Sequence, residues 1–373
     1  MDYSRLDPLI SISGEKIETV SDWEIYRREE IMVLLSNFVY GVRPLERPDG
    51  MEFFVDGITE NYLGYPLVRK CCRVRFLGFD MPFDLFLPQE TYRKKPVPLF
   101  LHVLNENSMN ANLPVENPDN NFLPITQLAA RGYGCAVMST LAVSPDWGHR
   151  PEFKKGVFRA VQPNTAHRTQ RSWATISGWA YGASRVLDYL ETDPDVEHTK
   201  VGICGHSRAG KTALWAGATD PRFALVISND SGCGGAAFTR GTTEGRERIK
   251  NIICSNWFCD NYKNFVDREE MMPCDQHMLL AAIAPRPLYV KSNAEDEWAG
   301  PAEELLSCRM ASAVYGLYGK PGVIAPEEIE VGKAYHEGTI AYRRAPGDHD
   351  LNATDWEHFM DFADAYLFKK KKK

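Results

Sequence analysis

The sequence lacks any run approaching the ~20 apolar residues of a membrane-spanning helix, so no such span is expected. It lacks a surplus of positive charge: 43 Lys+Arg stand against 50 Asp+Glu, a formal net charge of −7. Neither nucleic acid nor an anionic membrane is therefore expected as the main partner. The basic run Lys369–Lys373 is terminal and reads as a solvated or appended tail. There is no internal repeat and no long low-complexity linker. The nine cysteines include no C-x-x-C pair, and no histidine stands at a zinc-like spacing from them. Their odd number in so long a chain excludes a small disulfide scaffold. Cys135 and Cys204, set within apolar runs, read as buried reduced thiols. Neither a metal nor a cofactor is expected. The opening stretch MDYSRLDPLISISGEKIE has no basic segment followed by an apolar one. On that ground the sequence as written predicts a cytoplasmic protein; a secreted or periplasmic one would need a leader removed beforehand.

What is present is an ordinary globular composition. The chain has 373 residues, 44% hydrophobic and 25% charged. It reads as one domain over 1–373, with 1–90 an N-terminal layer packed on a catalytic core, 91–368. In that layer Trp23 to Tyr40 has helical periodicity, with Ile25, Ile31, Leu34, Leu35 and Phe38 as core positions. Val68–Phe76 and Phe83–Leu87 have the β-branched and aromatic content of strands. Farther on, short apolar runs alternate with helical stretches. The runs are 97–104, 135–140, 200–205, 224–229 and 287–292, each bounded by Gly, Pro or Asn. Such runs fit strands buried on both faces. Ser172–Glu191 keeps helical spacing at Ile176, Trp179, Ala183, Leu187 and Leu190, and Asp355–Leu367 closes the pattern. The alternation predicts an α/β fold with a mostly parallel central sheet between helical layers.

Gly205-His206-Ser207-Arg208-Ala209-Gly210 is read as the G-x-S-x-G turn, since it follows the run VGIC and opens a helix over Lys211–Ala218. A serine hydroxyl projected from so sharp a turn is a candidate nucleophile. It needs a base and an acid that orients the base, in the chain order serine, acid, histidine. His349, in the polar loop before the last helix, is the candidate base. His358, within that helix, reads as a surface residue and His277 as structural or supporting. Two acids follow strands: Asp230 after 224–229 and Asp296 after 287–292. Either could orient the imidazole, and chain order admits both. Arg208 and Lys211 place cations in the first turn of a helix, where they oppose its dipole. Their presence beside a nucleophile points to bound or developing negative charge; the alternative is a salt bridge to a neighbouring carboxylate. Trp147, Trp257, Phe258 and Trp298 lie near these loops, and a tryptophan face can pack on a sugar ring.

The stretch from Trp173 to Trp356 resembles the bacterial branch of the glucuronoyl esterases, the fifteenth family of carbohydrate esterases. The segments that carry the likeness are SWATISGWAYGASRVLDYLETDP, VGICGHSRAGKTALWAGATDPRFALVISNDSGCGG, NWFCDNY, DQHMLLAAIAPRPLYV, SNAEDEWAGP and GDHDLNATDWEHFMDFAD. WEIYRREEIMVLLSNFVYG is similar too, so the resemblance spans most of the chain. It implies an α/β-hydrolase fold, a three-layer sandwich, and a serine triad that needs no cofactor. It implies cleavage of esters between (4-O-methyl-)glucuronate on xylan and lignin alcohols. By resemblance Ser207 is the nucleophile, His349 the base, Arg208 the oxyanion side chain and Lys211 a uronate-binding residue. Fungal members carry a glutamate at the place of Asp230, and many bacterial relatives a neutral residue. The resemblance therefore favours Asp296, with Asp230 as the alternative or auxiliary acid. Trp257 and Trp298 are expected to touch a carbohydrate substrate. The rival expectations are a deacetylase acting on acetylated xylan and a catalytically idle carbohydrate-binding relative.

Overall fold

The computed structural model describes residues 6–105, 115–146, 153–253 and 256–368. Ten strands form one sheet: β1 Glu52–Thr59, β2 Leu67–Phe76, β3 Phe79–Pro88, β4 Val97–Leu104, β5 Gly134–Ser139, β6 Val196–His206, β7 Leu225–Asn229, β8 Leu288–Asn293, β9 Ala334–Tyr335 and β10 Ile340–Ala345. Their spatial order is β1-β2-β3-β5-β4-β6-β7-β8-β10-β9. The segment from β5 to β10 is parallel. The strands β1 to β3 and the short β9 are joined antiparallel.

Alternation along the central strands builds the three layers. Leu99, Leu101 and Val103 of β4, Val201 and Ile203 of β6, Val226 of β7, and Leu288 and Val290 of β8 join one core. Their neighbours Phe100, Cys204, Leu225, Ile227 and Tyr289 join another on the opposite face. Successive side chains leave a strand on opposite sides, so an unbroken apolar run feeds both cores. The first core takes the helices Thr175–Leu190, Arg208–Thr219 and Pro301–Leu317; the second takes Ile125–Ala130 and Ala353–Ala363. All of Thr175–Leu190 is buried, because it lies beneath other chain as well as on the sheet. The eight described cysteines are free thiols, seven of them buried. No helix among the described residues is long and apolar enough to cross a membrane.

The N-terminal part departs from its expected form. Strands β1 to β3 extend the main sheet through the β3–β5 pairing, while the preceding helical segment packs on the first core. Ile25, expected in the core, is 59% exposed. The helical turn Trp23–Arg27 is of the wider π type, and it turns Trp23 and Arg27 inward instead. Ile31, Leu34 and Leu35 are buried as expected, and Phe38 is half-buried.

Candidate active site

The site is built at one edge of the sheet. β6, β7, β8 and β10 are successive parallel neighbours. Ser207 follows β6, Asp230 follows β7, and Asp296 and His349 lie in the loops leaving β8 and β10. The carboxyl edge of a parallel sheet is where such folds bind ligands.

Ser207 stands between β6 and the helix Arg208–Thr219 with φ 58° and ψ −127°, a strained conformation for a residue with a side chain. The turn is held by its N–H, which donates to the Asn229 carbonyl at 2.8 Å, and by its carbonyl, which accepts from Gly210 N–H at 2.9 Å. A Cβ on Gly205 would lie 2.1 Å from the Ala209 carbonyl oxygen, and one on Gly210 would lie 3.0 Å from Ser231 Cβ. The expected G-x-S-x-G spacing is thus corrected to G-x-S-x-x-G. Residue 209 tolerates the methyl of alanine, and the second close approach falls on Gly210.

His349 Nδ1 lies 2.6 Å from Asp296 Oδ2, so the acid after β8 orients the imidazole. Asp296 is fixed in turn by its Oδ1, which accepts from Ala299 N–H at 3.1 Å. The imidazole is 39% exposed and the carboxylate 4%. Burial lowers the His349 pKa. The Asp296 hydrogen bond and the charges of Asp230 and Asp296 outweigh it, and the net displacement is upward.

Asp230 is buried behind this pair and makes other bonds. Its Oδ1 accepts from Asn293 N–H at 2.6 Å and its Oδ2 from the Asn293 amide at 2.8 Å. Burial, opposed by Lys291 and His349, pushes its carboxyl up to about 6. Ligand atoms of Asp230, Asp296 and His349 lie within 4.8 Å of one another. Those atoms are engaged with each other or with Asn293.

The His206 ring, next to the serine, lies with its centroid 4.4 Å from that of His349. Burial, together with the His349 charge, holds His206 well below the usual imidazole range, so it packs there as a neutral ring. Among the described residues the Ser207 hydroxyl closes no hydrogen bond with His349. Contacts of this kind commonly tighten only when substrate binds.

Arg208, Lys211 and Trp257 are brought together. Arg208 Nη1 donates to Asp146 Oδ2 at 2.5 Å, and Trp257 Nε1 donates to Asp146 Oδ1 at 2.7 Å. The guanidinium lies 4.6 Å from the Trp257 ring centre, and its Nε is buried without a partner. Lys211 Nζ donates to Glu247 Oε2 at 2.7 Å and to the Cys233 carbonyl at 2.6 Å. Both cations thus sit in salt bridges beside the serine. Trp298 is 49% exposed, and its carbonyl accepts from Glu247 N–H at 2.7 Å. Phe258 is buried, and Trp147 lies outside the described residues. His277 is fully buried, with Nε2 2.6 Å from the Leu6 carbonyl, and is structural. His358, expected at the surface, is half-buried.

Asp146, Glu247 and His206 escaped the sequence reading. Asp146 and Glu247 stand in charged or polar stretches with nothing local to mark them, and only the fold brings them to Arg208 and Lys211. Glu304 escaped it too. It is fully buried on Pro301–Leu317, and its Oε1 accepts from Ser231 N–H at 2.9 Å and Gly232 N–H at 3.0 Å.

The chain is also similar to known proteins. A family model described as glucuronyl esterase of fungi matches residues 159–319. The chain is 34% identical to a carbohydrate esterase from an unknown prokaryotic organism, over 98% of this chain and 90% of that protein. It is 34% identical to a 4-O-methyl-glucuronoyl methylesterase of Phanerochaete carnosa, over 84% of this chain and 72% of that protein. The solved structure of a glucuronoyl esterase from Solibacter usitatus superposes with a TM-score of 0.88 at 32% identity, covering 97% of each chain.

Proposed function

The chain belongs to the glucuronoyl esterases, carbohydrate esterase family 15, and from that membership we propose that it hydrolyses esters of (4-O-methyl-)glucuronate in xylan-derived material through an acyl-enzyme. The observation that carries this is the Asp296-bound imidazole of His349, set against the residue next to Ser207 at a strained strand-to-helix turn. Ser207 attacks the ester carbonyl while His349 Nε2 takes its proton, and Asp296 holds Nδ1 and stabilises the imidazolium. The Arg208 N–H, unpaired at the start of its helix, is the backbone donor for the oxyanion, and the partly exposed guanidinium beside it adds positive charge. The protonated His349 gives its proton to the departing alcohol. Water, deprotonated by the same imidazole, then splits the acyl-serine and releases the free uronic acid. Lys211 and Glu247 together offer one donor and one acceptor, the pair that neighbouring sugar hydroxyls require. Trp257 and Trp298 supply faces for the ring.

The test is turnover of benzyl glucuronate beside an acetylated xylo-oligosaccharide, with Ser207→Ala as the blank. Release of benzyl alcohol by the wild type and its loss in Ser207→Ala support the reading. Preference for the acetylated oligosaccharide makes the protein a deacetylase. Sugar binding with no alcohol release from either ester makes it an idle relative.

A further inference from the structure

The loop that carries His349 is tied to the loop after β8 by the Gly347 carbonyl, which accepts from Glu295 N–H at 3.0 Å, and to the sheet by a second carbonyl that gathers three side-chain donors. The Asp350 carbonyl, one residue past the imidazole, accepts from Asn229 Nδ2 at 3.0 Å, Lys291 Nζ at 2.8 Å and Asn293 Nδ2 at 3.1 Å. Asn229 ends β7 and pairs across the ladder with Lys291 of β8. Lys291 and Asn293 lie two residues apart on one strand and so leave it on the same side. None of the three is more than 1% exposed. The same three donors also reach Asp230 Oδ2, at 3.3, 3.4 and 2.8 Å in that order. Lys291 faces Asp355 Oδ2 at 3.3 Å as well, and Asp355 is held by Arg343 at 2.5 Å.

A lysine withdrawn wholly from water is a poor way to stabilise a core, since apolar residues of similar volume do as well or better. An ammonium held among carboxylates does supply a donor of fixed position. We propose that Lys291, with Asn229 and Asn293, is a positioning set for catalysis. It clamps the Asp350 carbonyl, and through it the height and tilt of the His349 imidazole over Ser207. Asp230 is the counterion that aims the three donors. This gives the buried acid a task distinct from that of Asp296. It rests on the reading of His349 as the general base. The imidazole is partly exposed, so its backbone anchor matters, and a misplacement of about 1 Å can cost on the order of 100-fold in rate.

The test uses Lys291→Met and Asn293→Ala, the second of which keeps every charge in place. Each variant is checked by circular dichroism and assayed on benzyl glucuronate. The rate at which a fluorophosphonate labels Ser207 is measured beside it, because that reaction needs the base but no sugar. The expected result is a fall in kcat of about 10- to 100-fold with KM within about twofold, and a parallel slowing of labelling. A loss of general folding would instead lower the amplitude of labelling, leaving its rate constant and the kcat per labelled site at their wild-type values. Folded variants that keep kcat and labelling within about twofold overturn the proposal. Should Lys291→Met not fold, Asn293→Ala decides by the same criteria. A wild type that is labelled but releases no alcohol sinks the proposed substrate and leaves the labelling arm to judge the clamp.

Discussion

Asp296 Oδ2 approaches His349 Nδ1 to 2.6 Å, whereas the carboxylate of Asp230 spends its short hydrogen bonds on Asn293. The two acids that chain order left equal are therefore unequal in the fold. Asp296→Asn removes the charge that stabilises the imidazolium and permits the wrong tautomer. It should lower kcat by about 10³-fold or more on benzyl glucuronate. Asp230→Asn leaves the Asp296–His349 bond intact and should cost far less. A loss in Asp230→Asn as large as that in Asp296→Asn would overturn this ranking.

The pH dependence follows from the upward displacement of His349, whose largest opposing influence is burial and whose supporting ones are Asp296 and Asp230. Only neutral imidazole accepts the serine proton. Wild-type kcat/KM should therefore rise with pH through a midpoint above the ordinary imidazole value of about 6.5. Asp230→Asn deletes one of the two charges that raise it, so the acid limb should move to lower pH. A pH–rate profile of both proteins checks the direction, and an upward move in the variant would contradict it.

How far the sequence could be read depended on what each residue faced. Strands β4 to β8 were legible because burial on both faces leaves continuous apolar runs. β1 was not: it is mostly exposed, and its pairing with β2 is irregular between Val55 and Gly57. β10 was hidden by Arg343 and Arg344, although Arg343 is buried against Asp355. Ile25 was misplaced because a regular helical period was assumed across a π turn. Ser207 and His349 could be named from their loops. The choice between Asp230 and Asp296 needed a distance, and Asp146 and Glu247 needed the tertiary fold.

Replacement of Lys211 tests which class of ester the site takes. Its ammonium is paired with Glu247 at 2.7 Å, a nearly buried ion pair one helical turn from Ser207 that an acetyl group does not require. Lys211→Ala should reduce kcat/KM for benzyl glucuronate by about 10- to 100-fold, the worth of one charge-assisted hydrogen bond. The loss on p-nitrophenyl acetate should be smaller by about an order of magnitude. Equal losses on both esters would mean that the lysine supports the fold around the serine rather than the sugar.

Glu304 yields a prediction about stability rather than rate. Burial, reinforced by the charge of Asp230, pushes its carboxyl from 4.5 up to about 8. The folded protein thus keeps a proton on Glu304 across a window in which the unfolded chain has released it. Stability from this group is full below the unfolded value and declines as pH rises from about 4.5 to about 8. Glu304→Gln preserves the shape and the acceptor toward Ser231 and Gly232, and it has no proton to lose. Its Tm relative to wild type should therefore climb between pH 5 and pH 8. Glu304→Ala leaves the buried Ser231 and Gly232 N–H groups without an acceptor, at a cost of about 3 kcal/mol, and should lower Tm at every pH. Thermal unfolding of the three proteins across that range settles the matter. Parallel Tm curves for wild type and Glu304→Gln would mean that the carboxyl is already ionised in the folded state, with the serine hydroxyls and backbone N–H groups around it sustaining the charge.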